Sequence, residues 1–449
     1  MDPVLARHAA RAVPRYTSYP TAPHFKPEFP ERTVRDWLGR LSPCDPVSLY
    51  LHVPFCRQMC WYCGCNMKLA AKYAPVASYV ETLATEVAQT SAALPARMAV
   101  SHLHWGGGTP TALEPADLAR IMGDVDRRFD VAEGAELAIE SDPRTLTAEM
   151  AETIGALGFT RASFGVQEFD PRVQVAINRV QPPEMVAEAV GRLRRAGVRD
   201  MNFDLIYGLP HQTVETLVRT VRLAADMGPG RIALFGYAHV PWMAKNQRMI
   251  PEEALPGGPE RAAQAEAAAE ELQALGYVAI GLDHFALPED SMAVAAREGR
   301  LRRNFQGYTT DRAETLLPFG ATSIGKCPSG YWQNIAETGA WSRAVMEGRL
   351  PVAKGVGFEG DDRLRGWAIE RLMCDGFVDL AEGARRFGAP ADWAAEPLSR
   401  LAELAADGLV EIRADRVTLV PRARALARVA AAAFDAYLGR SEARHSVAV

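Results

Sequence analysis

The sequence predicts an α/β fold in which a parallel sheet is covered by helices. From about residue 46 one rhythm recurs: a short, nearly continuous apolar run, a Gly/Pro/polar corner, then a stretch with apolar residues three and four apart. Strands buried on both faces read as continuous apolar runs, and parallel neighbours need a helical crossover between them. The chain has 449 residues, of which 48% are hydrophobic and 23% charged, an ordinary globular composition that excludes global disorder.

The candidate strands are Val47–Val53, Val100–Trp105, Glu136–Glu140, Arg161–Val166, Met201–Ile206 and Ile232–Tyr237. Helical spacing falls between them near 76–93, 116–128, 147–157, 183–196 and 213–227. Asp142-Pro143 followed by Thr147-Ala-Glu, and Thr213 before Glu215, mark helix starts; Gly158, Gly197 and Gly228 mark stops. Right-handed crossovers let such a series curl into a barrel or stay open, and the rhythm alone does not choose.

Downstream, 251–275 reads as an Ala/Glu-rich helix and 290–303 as another, while Asn304–Asn334, rich in Gly, Thr and aromatics, reads as loops packed against the body. From about 360 the pattern is helical, with a hairpin expected at Leu409–Ile412 and Val417–Val420 around Ala414-Asp415. Helices before a hairpin resemble a winged helix and raise DNA binding. A helical cap or lid is the favoured reading, because Arg is mixed with many acids and no basic stripe forms.

The net charge of −5 gives no general electrostatic case for nucleic acid or an anionic membrane. No apolar run approaches the ~18 residues of a membrane helix. Met1–Pro20 lacks the apolar core of a secretory signal, and Pro14 with the Tyr16–Thr21 stretch breaks any amphipathic presequence built on Arg7, Arg11 and Arg15, so a cytoplasmic location is expected.

Seven cysteines, an odd count, argue against a disulfide framework. Cys44, Cys327 and Cys374 are scattered and are expected to be buried small hydrophobes. Cys56, Cys60, Cys63 and Cys65 fall together, directly after the first strand. Three thiolates spaced Cys-x3-Cys-x2-Cys on one loop can wrap a corner of a cubane and hold three of its irons, leaving the fourth open to a ligand. A structural zinc would need four closed ligands with Cys65 as the fourth, but a Cys-x-Cys pair in extended backbone points its side chains differently from the pairs before it.

Other polar groups share the C-terminal ends of the predicted strands, where α/β sites gather. Gly106-Gly107-Gly108-Thr109-Pro110 follows the second strand and can offer backbone N–H groups to a carboxylate or amine. Glu140 ends the third strand and suits the two hydroxyls of a ribose, Gln167 ends the fourth, Asp204 lies near the end of the fifth, and Ala238 follows the sixth; Arg179 lies between the fourth and fifth.

The cysteine spacing after the first strand of a β/α repeat is similar to that of the radical S-adenosylmethionine enzymes. Within them the chain resembles the oxygen-independent coproporphyrinogen III oxidases through Arg15-Tyr-Thr-Ser-Tyr-Pro-Thr21, Tyr50-Leu-His52-Val-Pro-Phe-Cys56, Cys63-Gly-Cys65-Asn66, His104-Trp-Gly-Gly-Gly-Thr-Pro110, Glu140-Ser-Asp-Pro143, Phe164-Gly-Val-Gln167, Phe203-Asp204-Leu-Ile-Tyr207-Gly-Leu-Pro210 and Arg303-Asn-Phe-Gln-Gly-Tyr-Thr-Thr310. The resemblance covers residues 15–334; beyond 350 it is only general.

That resemblance implies a partial (β/α)6 barrel over 46–290, with an N-terminal arm over 1–45, barrel-associated loops and helices over 291–350, and a mostly helical C-terminal domain over 351–449. It implies one [4Fe–4S] cluster on Cys56, Cys60 and Cys63, and two molecules of S-adenosylmethionine. The first would bind the open iron and be lined by Tyr50, Tyr62, Gly107, Glu140 and Ile324; the second would be lined by Gly108, Thr109, Gln167, Arg179, Asp204 and Ala238. Around Ile324 the run Gly325-Lys-Cys-Pro-Ser-Gly330 departs from the family pattern. The implied reaction turns two propionates of coproporphyrinogen III into vinyl groups: a 5′-deoxyadenosyl radical takes a hydrogen from the β-carbon, and loss of CO2 and one electron leaves the double bond.

Tyr50, His52 and Cys65 are candidates for proton or electron delivery, and Tyr16 and Tyr19 either contact the macrocycle or anchor the terminal segment. The expected partners are coproporphyrinogen III, a reducing donor such as flavodoxin or ferredoxin, and a final electron acceptor that the sequence does not name. A monomer is expected, with no nucleic acid and no membrane. A haem-binding chaperone of the same superfamily and a radical methyltransferase are the rival readings. The Tyr16–Thr21 stretch and the presence of Cys65 favour the oxidase.

Overall fold

The computed structural model describes residues 3–439. It separates into a barrel unit, Lys26–Leu275 with Asp311–Gly355, and a terminal unit made of the chain up to Phe25, Gly276–Thr310, and the chain from Val356 onward. Residues 1–45 therefore fall partly in each unit.

In the barrel unit the six repeat strands are Val47–Val53, Ala99–Gly107, Asp130–Ser141, Arg161–Gln167, Asp200–Tyr207 and Arg231–Gly236, hydrogen-bonded in chain order. Every neighbouring pair is parallel. The order decides between the two forms that the rhythm left open. When each right-handed crossover steps the same way, all helices fall on one face and the sheet curls around the other, whereas an open doubly wound sheet needs a reversal. The first strand is buried along its whole length except at Tyr50, as a strand covered on both faces requires.

The crossover helices form where the spacing predicts them. Ala74–Ala92 starts with Pro near N1 and buries Val76, Tyr79, Val80, Leu83 and Val87 on one stripe. Val214–Asp226 starts on a capping box between Thr213 and Thr216. Gly158, Gly197 and Gly228 follow their helices with φ of 78°, 98° and 67°, the left-handed stop that glycine permits.

Five local expectations change. The third strand begins at Asp130, six residues early, because its exposed polar first half gives no apolar signal. The expected 251–275 helix runs from Gly258 to Ala274, starting beside Pro259, and the expected 290–303 helix ends at Arg297, followed by the short strand Arg302–Asn304. Residues 304–334, expected as loops, contain strands at Gly307–Thr309, Thr315–Phe319, Ile324–Cys327 and Gly330–Asn334. Thr315–Phe319 pairs in parallel with the first barrel strand, and the next two continue that side of the sheet antiparallel. These runs are too short to show a period. Of the scattered cysteines, Cys327 and Cys374 are buried, but Cys44 is exposed, in the turn ahead of the first strand.

The terminal unit packs helices Asp362–Asp375, Leu380–Phe387 and Ala395–Ala406 with a three-stranded antiparallel sheet ordered 377–379, 416–419, 410–413. Helix Pro3–Ala9 joins the same core, which takes in Ala9, Val13, Tyr16 and Tyr19. His8 Nε2 lies 2.6 Å from Asp407, and Arg11 donates to Glu403 at 2.5 Å. His8, Glu403 and Asp407 could between them surround a cation, but Arg7 and Arg11 already pair with both carboxylates. Tyr16 donates to Asp435 at 3.0 Å, and the Tyr19 hydroxyl accepts from the Ala436 N–H at 2.9 Å, so both rings serve as buried anchors of this unit. Among the described residues no helix is long and apolar enough to cross a membrane.

Candidate active site

The loop after the first barrel strand is fastened at both ends and in the middle. Phe55–Cys56 pairs with Lys68–Leu69. The Trp61 N–H donates to Ile177 O at 2.9 Å, and Asn178 Nδ2 to Met59 O at 2.8 Å. Asn246 Nδ2 lies within 3.1 Å of Cys60 O, 3.1 Å of Trp61 O and 2.8 Å of Cys63 O, while Gln247 Nε2 donates to Tyr62 O at 2.8 Å. Trp61 and Tyr62 pack on Val173, Ile177, Leu209, Tyr237 and Ile250, so the aromatics between the cysteines pin the loop to the barrel.

Each of the three spaced sulfurs has a polar group at hydrogen-bond distance. Thr109 Oγ1 lies 3.4 Å from Cys56 Sγ, and the Cys65 N–H donates to Cys63 Sγ at 3.4 Å. Cys60 Sγ receives two guanidiniums, Arg144 and Arg179, each at 3.3 Å. Asp142 joins these arginines, 2.6 Å from Arg144 and 3.4 Å from Arg179. Burial pushes the Asp142 carboxyl up, but the two guanidiniums outweigh it and hold it below the usual carboxylate range. The hydrogen bond from the Cys65 thiol brings Cys63 down to about 6, whereas burial pushes Cys56 up to about 11.

Two polar groups lie on the barrel strands. At the first three strands, Tyr50 and His104 stack with centroids 5.9 Å apart, the Tyr50 hydroxyl lies 3.0 Å from His52 Nδ1, and Glu140 is held by His104 Nε2 at 3.1 Å and the Gly107 N–H at 3.0 Å. Burial brings His52 down to about 4, so the ring is neutral at pH 7. The glycines here make room for neighbouring side chains. A Cβ on Gly106 would lie 2.8 Å from Glu140 Oε1 and 3.0 Å from the Tyr50 hydroxyl, and one on Gly107, at φ 122°, would lie 2.7 Å from the His52 ring. One on Gly108 would meet Phe55 backbone at 2.8 Å.

The second group lies at the fourth and fifth strands. Gln167 ends its strand at φ 67°, a conformation that costs a non-glycine residue energy and is typical of functional sites. Its Oε1 is buried without a hydrogen-bond partner, as is Nε of Arg179, whose Nη2 donates to Gly165 O at 2.5 Å. Asp204 stands opposite Gly165 in register. Ala238 is exposed after the sixth strand, and its carbonyl accepts from Gln247 at 3.2 Å. Ile324 opens a strand that pairs with Gly330–Asn334. Arg144, Asn246 and Gln247 escaped the sequence reading. Arg144 follows the quoted Glu140–Pro143 motif directly, whereas Asn246 and Gln247 sit in a short 3-10 turn with no pattern of their own.

A model of the radical SAM superfamily matches residues 50–224. An oxygen-independent coproporphyrinogen III oxidase of Bradyrhizobium diazoefficiens is 51% identical over 97% of each chain, and one of Paracoccus denitrificans is 44% identical over 97% of this chain and 96% of its own. The chain belongs to the oxygen-independent coproporphyrinogen III oxidase family. The solved coproporphyrinogen III oxidase of Escherichia coli, described as a radical SAM enzyme, superposes with a TM-score of 0.91 at 36% identity, covering 95% of this chain and 100% of that one.

Superfamily membership implies a [4Fe–4S] cluster and S-adenosylmethionine, and the donor set fits both. Cysteine sulfurs that accept N–H groups are the ligands such a cluster takes. A tetrahedral zinc with Zn–S near 2.3 Å would hold its sulfurs about 3.8 Å apart. Among the described residues, however, no three cysteine sulfurs lie within 4.8 Å of one another. The partnerless Gln167 oxygen and Arg179 nitrogen are a buried acceptor and donor of the kind an amino-acid ligand would satisfy.

Proposed function

We propose that this chain converts two propionates of coproporphyrinogen III to vinyl groups, giving protoporphyrinogen IX, with one cluster on Cys56, Cys60 and Cys63 and two molecules of S-adenosylmethionine. The observation that carries the reading is the pair of polar groups on the barrel strands: Tyr50, His104 and Glu140 on the first three, and Gln167 and Asp204 on the next two with Arg179, which reaches Cys60. The full-length likeness to coproporphyrinogen oxidases selects the substrate class.

When bound, the cluster and S-adenosylmethionine supply a one-electron cleavage that yields a carbon-centred oxidant for the propionate β-carbon. The chain's own residues bind and orient. Glu140, steadied by His104 and the Gly107 N–H, keeps lone pairs for ribose hydroxyls. Tyr50, Tyr62, Gly107 and Ile324 complete the first cofactor's set. Gln167 Oε1 and Arg179 Nε offer an acceptor and a donor to the second cofactor's amino and carboxylate groups, with Gly108, Thr109, Asp204 and Ala238 beside them. Neutral His52, accepting from Tyr50 at Nδ1, holds a proton on the other ring nitrogen, and Cys65 serves hydrogen or electron delivery. A low-potential donor such as flavodoxin or ferredoxin reduces the cluster, and the enzyme works as a cytoplasmic monomer.

Anaerobic incubation of the reconstituted chain with dithionite, S-adenosylmethionine and coproporphyrinogen III, followed by mass analysis, should yield the divinyl porphyrinogen and CO2. Retained haem without turnover, or a methylated product, would remove the proposal.

A further inference from the structure

Three segments of the barrel unit meet along the backbone of the cysteine loop: residues 57–67 of the loop itself, 171–180 and 240–250. Ile177 O accepts from the Trp61 N–H, Asn178 donates to Met59 O, and Asn246 donates to Cys60 O and Cys63 O. On their inner side Val173, Ile177 and Ile250 pack with Trp61 and Tyr62. The residues between these buried ones are exposed, and two properties set them apart.

The first is apolar surface. Val175, Val180, Trp242, Met243 and Met249 are each more than half exposed, Met243 at 77%. They are five of the thirteen large apolar side chains that the described residues leave exposed, so the apolar surface is concentrated here. Single exposed apolar side chains need no explanation, whereas a group of them beside charged residues marks an interaction site. Trp and Met are also among the residues that interfaces favour.

The second is charge. In a chain of net charge −5, none of the three segments contains an Asp or a Glu. Arg57, Arg172, Lys245 and Arg248 are exposed on them, and among the described residues none of the four makes an ion pair. Exposed arginines elsewhere on the barrel unit do pair, Arg120 with Glu81 and Arg222 with Glu271. Of the acids that border the segments, Asp170 caps the N–H groups of Arg172 and Val173, Glu252 lies 3.4 Å from His239, and Glu253 is exposed.

We propose that this surface docks a small acidic flavoprotein that delivers the electron for the cluster. The partner gives up one electron and the cluster takes it, with no atom or proton changing hands. Such a partner must come close to the cysteine loop and leave again. Unpaired cations steer an acidic partner inward, and electron-transfer encounters use small, weak interfaces. The exposed apolar side chains match the dimethylbenzene edge of a flavin, which is itself apolar. A macrocyclic substrate would need a concave pocket, which side chains this exposed do not line. The kind of partner rests on the proposed function; the existence of an interaction surface does not.

The test is interferometry of the full-length, cluster-loaded chain against a flavodoxin at low and high salt. Binding should be measurable at low salt and fade as salt screens it. The double variant Arg172→Glu, Arg248→Glu should bind about tenfold more weakly or worse at low salt, as expected when charges at an interface are reversed. Met243→Ser should weaken binding at both salt levels. In all of them the cluster absorbance and dithionite-driven cleavage of S-adenosylmethionine should be unchanged, while flavodoxin-driven cleavage falls. Should the double variant fail to take up its cluster, Met243→Ser still decides. Equal flavodoxin affinity in the variants and the unmodified chain would overturn the surface. Tighter binding of a ferredoxin would overturn the flavoprotein assignment. Loss of coproporphyrin III binding, or of self-association, in the variants would give the surface to the substrate or to a second copy and overturn the carrier. Vinyl product from the dithionite-reduced chain reports on the reaction alone. Its absence beside variant-sensitive carrier binding removes the reaction, and its presence beside variant-insensitive binding removes the surface.

Discussion

Arg144 Nη2 donates to Cys60 Sγ at 3.3 Å, and Asp142 grips the same guanidinium at 2.6 Å. A cation and an N–H bond at a ligating sulfur favour the more negative, reduced state of an iron–sulfur cluster. Arg144→Met should therefore leave the cluster assembled but shift its reduction potential to more negative values, read by EPR-monitored redox titration. A potential equal to that of the unmodified chain would make Arg144 a purely structural partner of Asp142.

Cys56→Ala, Cys60→Ala and Cys63→Ala should each abolish cluster assembly, seen as loss of iron and of the visible absorbance. Cys65→Ala should keep its iron, because Cys65 acts on Cys63 through its own N–H and thiol. Loss of iron in that variant would add Cys65 to the ligands.

Gly106→Ala would thrust a methyl group against Glu140 Oε1 and the Tyr50 hydroxyl. The expected outcome is a folded chain with an intact cluster and at least tenfold weaker S-adenosylmethionine binding by calorimetry. Normal affinity would show that neither side chain grips the first cofactor.

Asp204→Ala should weaken the second S-adenosylmethionine while sparing the first. Counting bound cofactor per chain by equilibrium dialysis should give close to one rather than two.

Glu86 predicts a pH dependence of stability. It is fully buried and accepts from the Gly320 N–H at 2.6 Å, Asn334 Nδ2 at 2.6 Å and Trp341 Nε1 at 3.2 Å, yet burial dominates and pushes it up to about 8 from 4.5. The folded chain then holds this proton more tightly than the unfolded one. The stabilisation is fully present below about pH 4.5 and is lost as pH rises through about 8. Tm should fall by roughly several degrees across that window, and Glu86→Gln should flatten this part of the curve.

The repeat strands were legible because a strand covered on both faces leaves a continuous apolar run, and the cysteine loop because three sulfurs in so short a span have few other uses. Thr315–Phe319 was not, since a five-residue buried run carries no period and its place beside the first strand depends on a partner far away in sequence. Asn246 was invisible for the same reason: the carbonyls it reaches lie 183 to 186 positions earlier. Tyr16 and Tyr19 show the reverse, a motif whose aromatics suggested ligand contact and whose hydroxyls are occupied by Asp435 and the Ala436 N–H.

The Asn246 amide ties together three carbonyls of the cysteine loop, so the loop backbone has protein partners of its own. Unlike a zinc finger, whose metal drives its folding, this chain should survive chelation or exposure to air as an intact scaffold and accept a fresh cofactor when anaerobic conditions return.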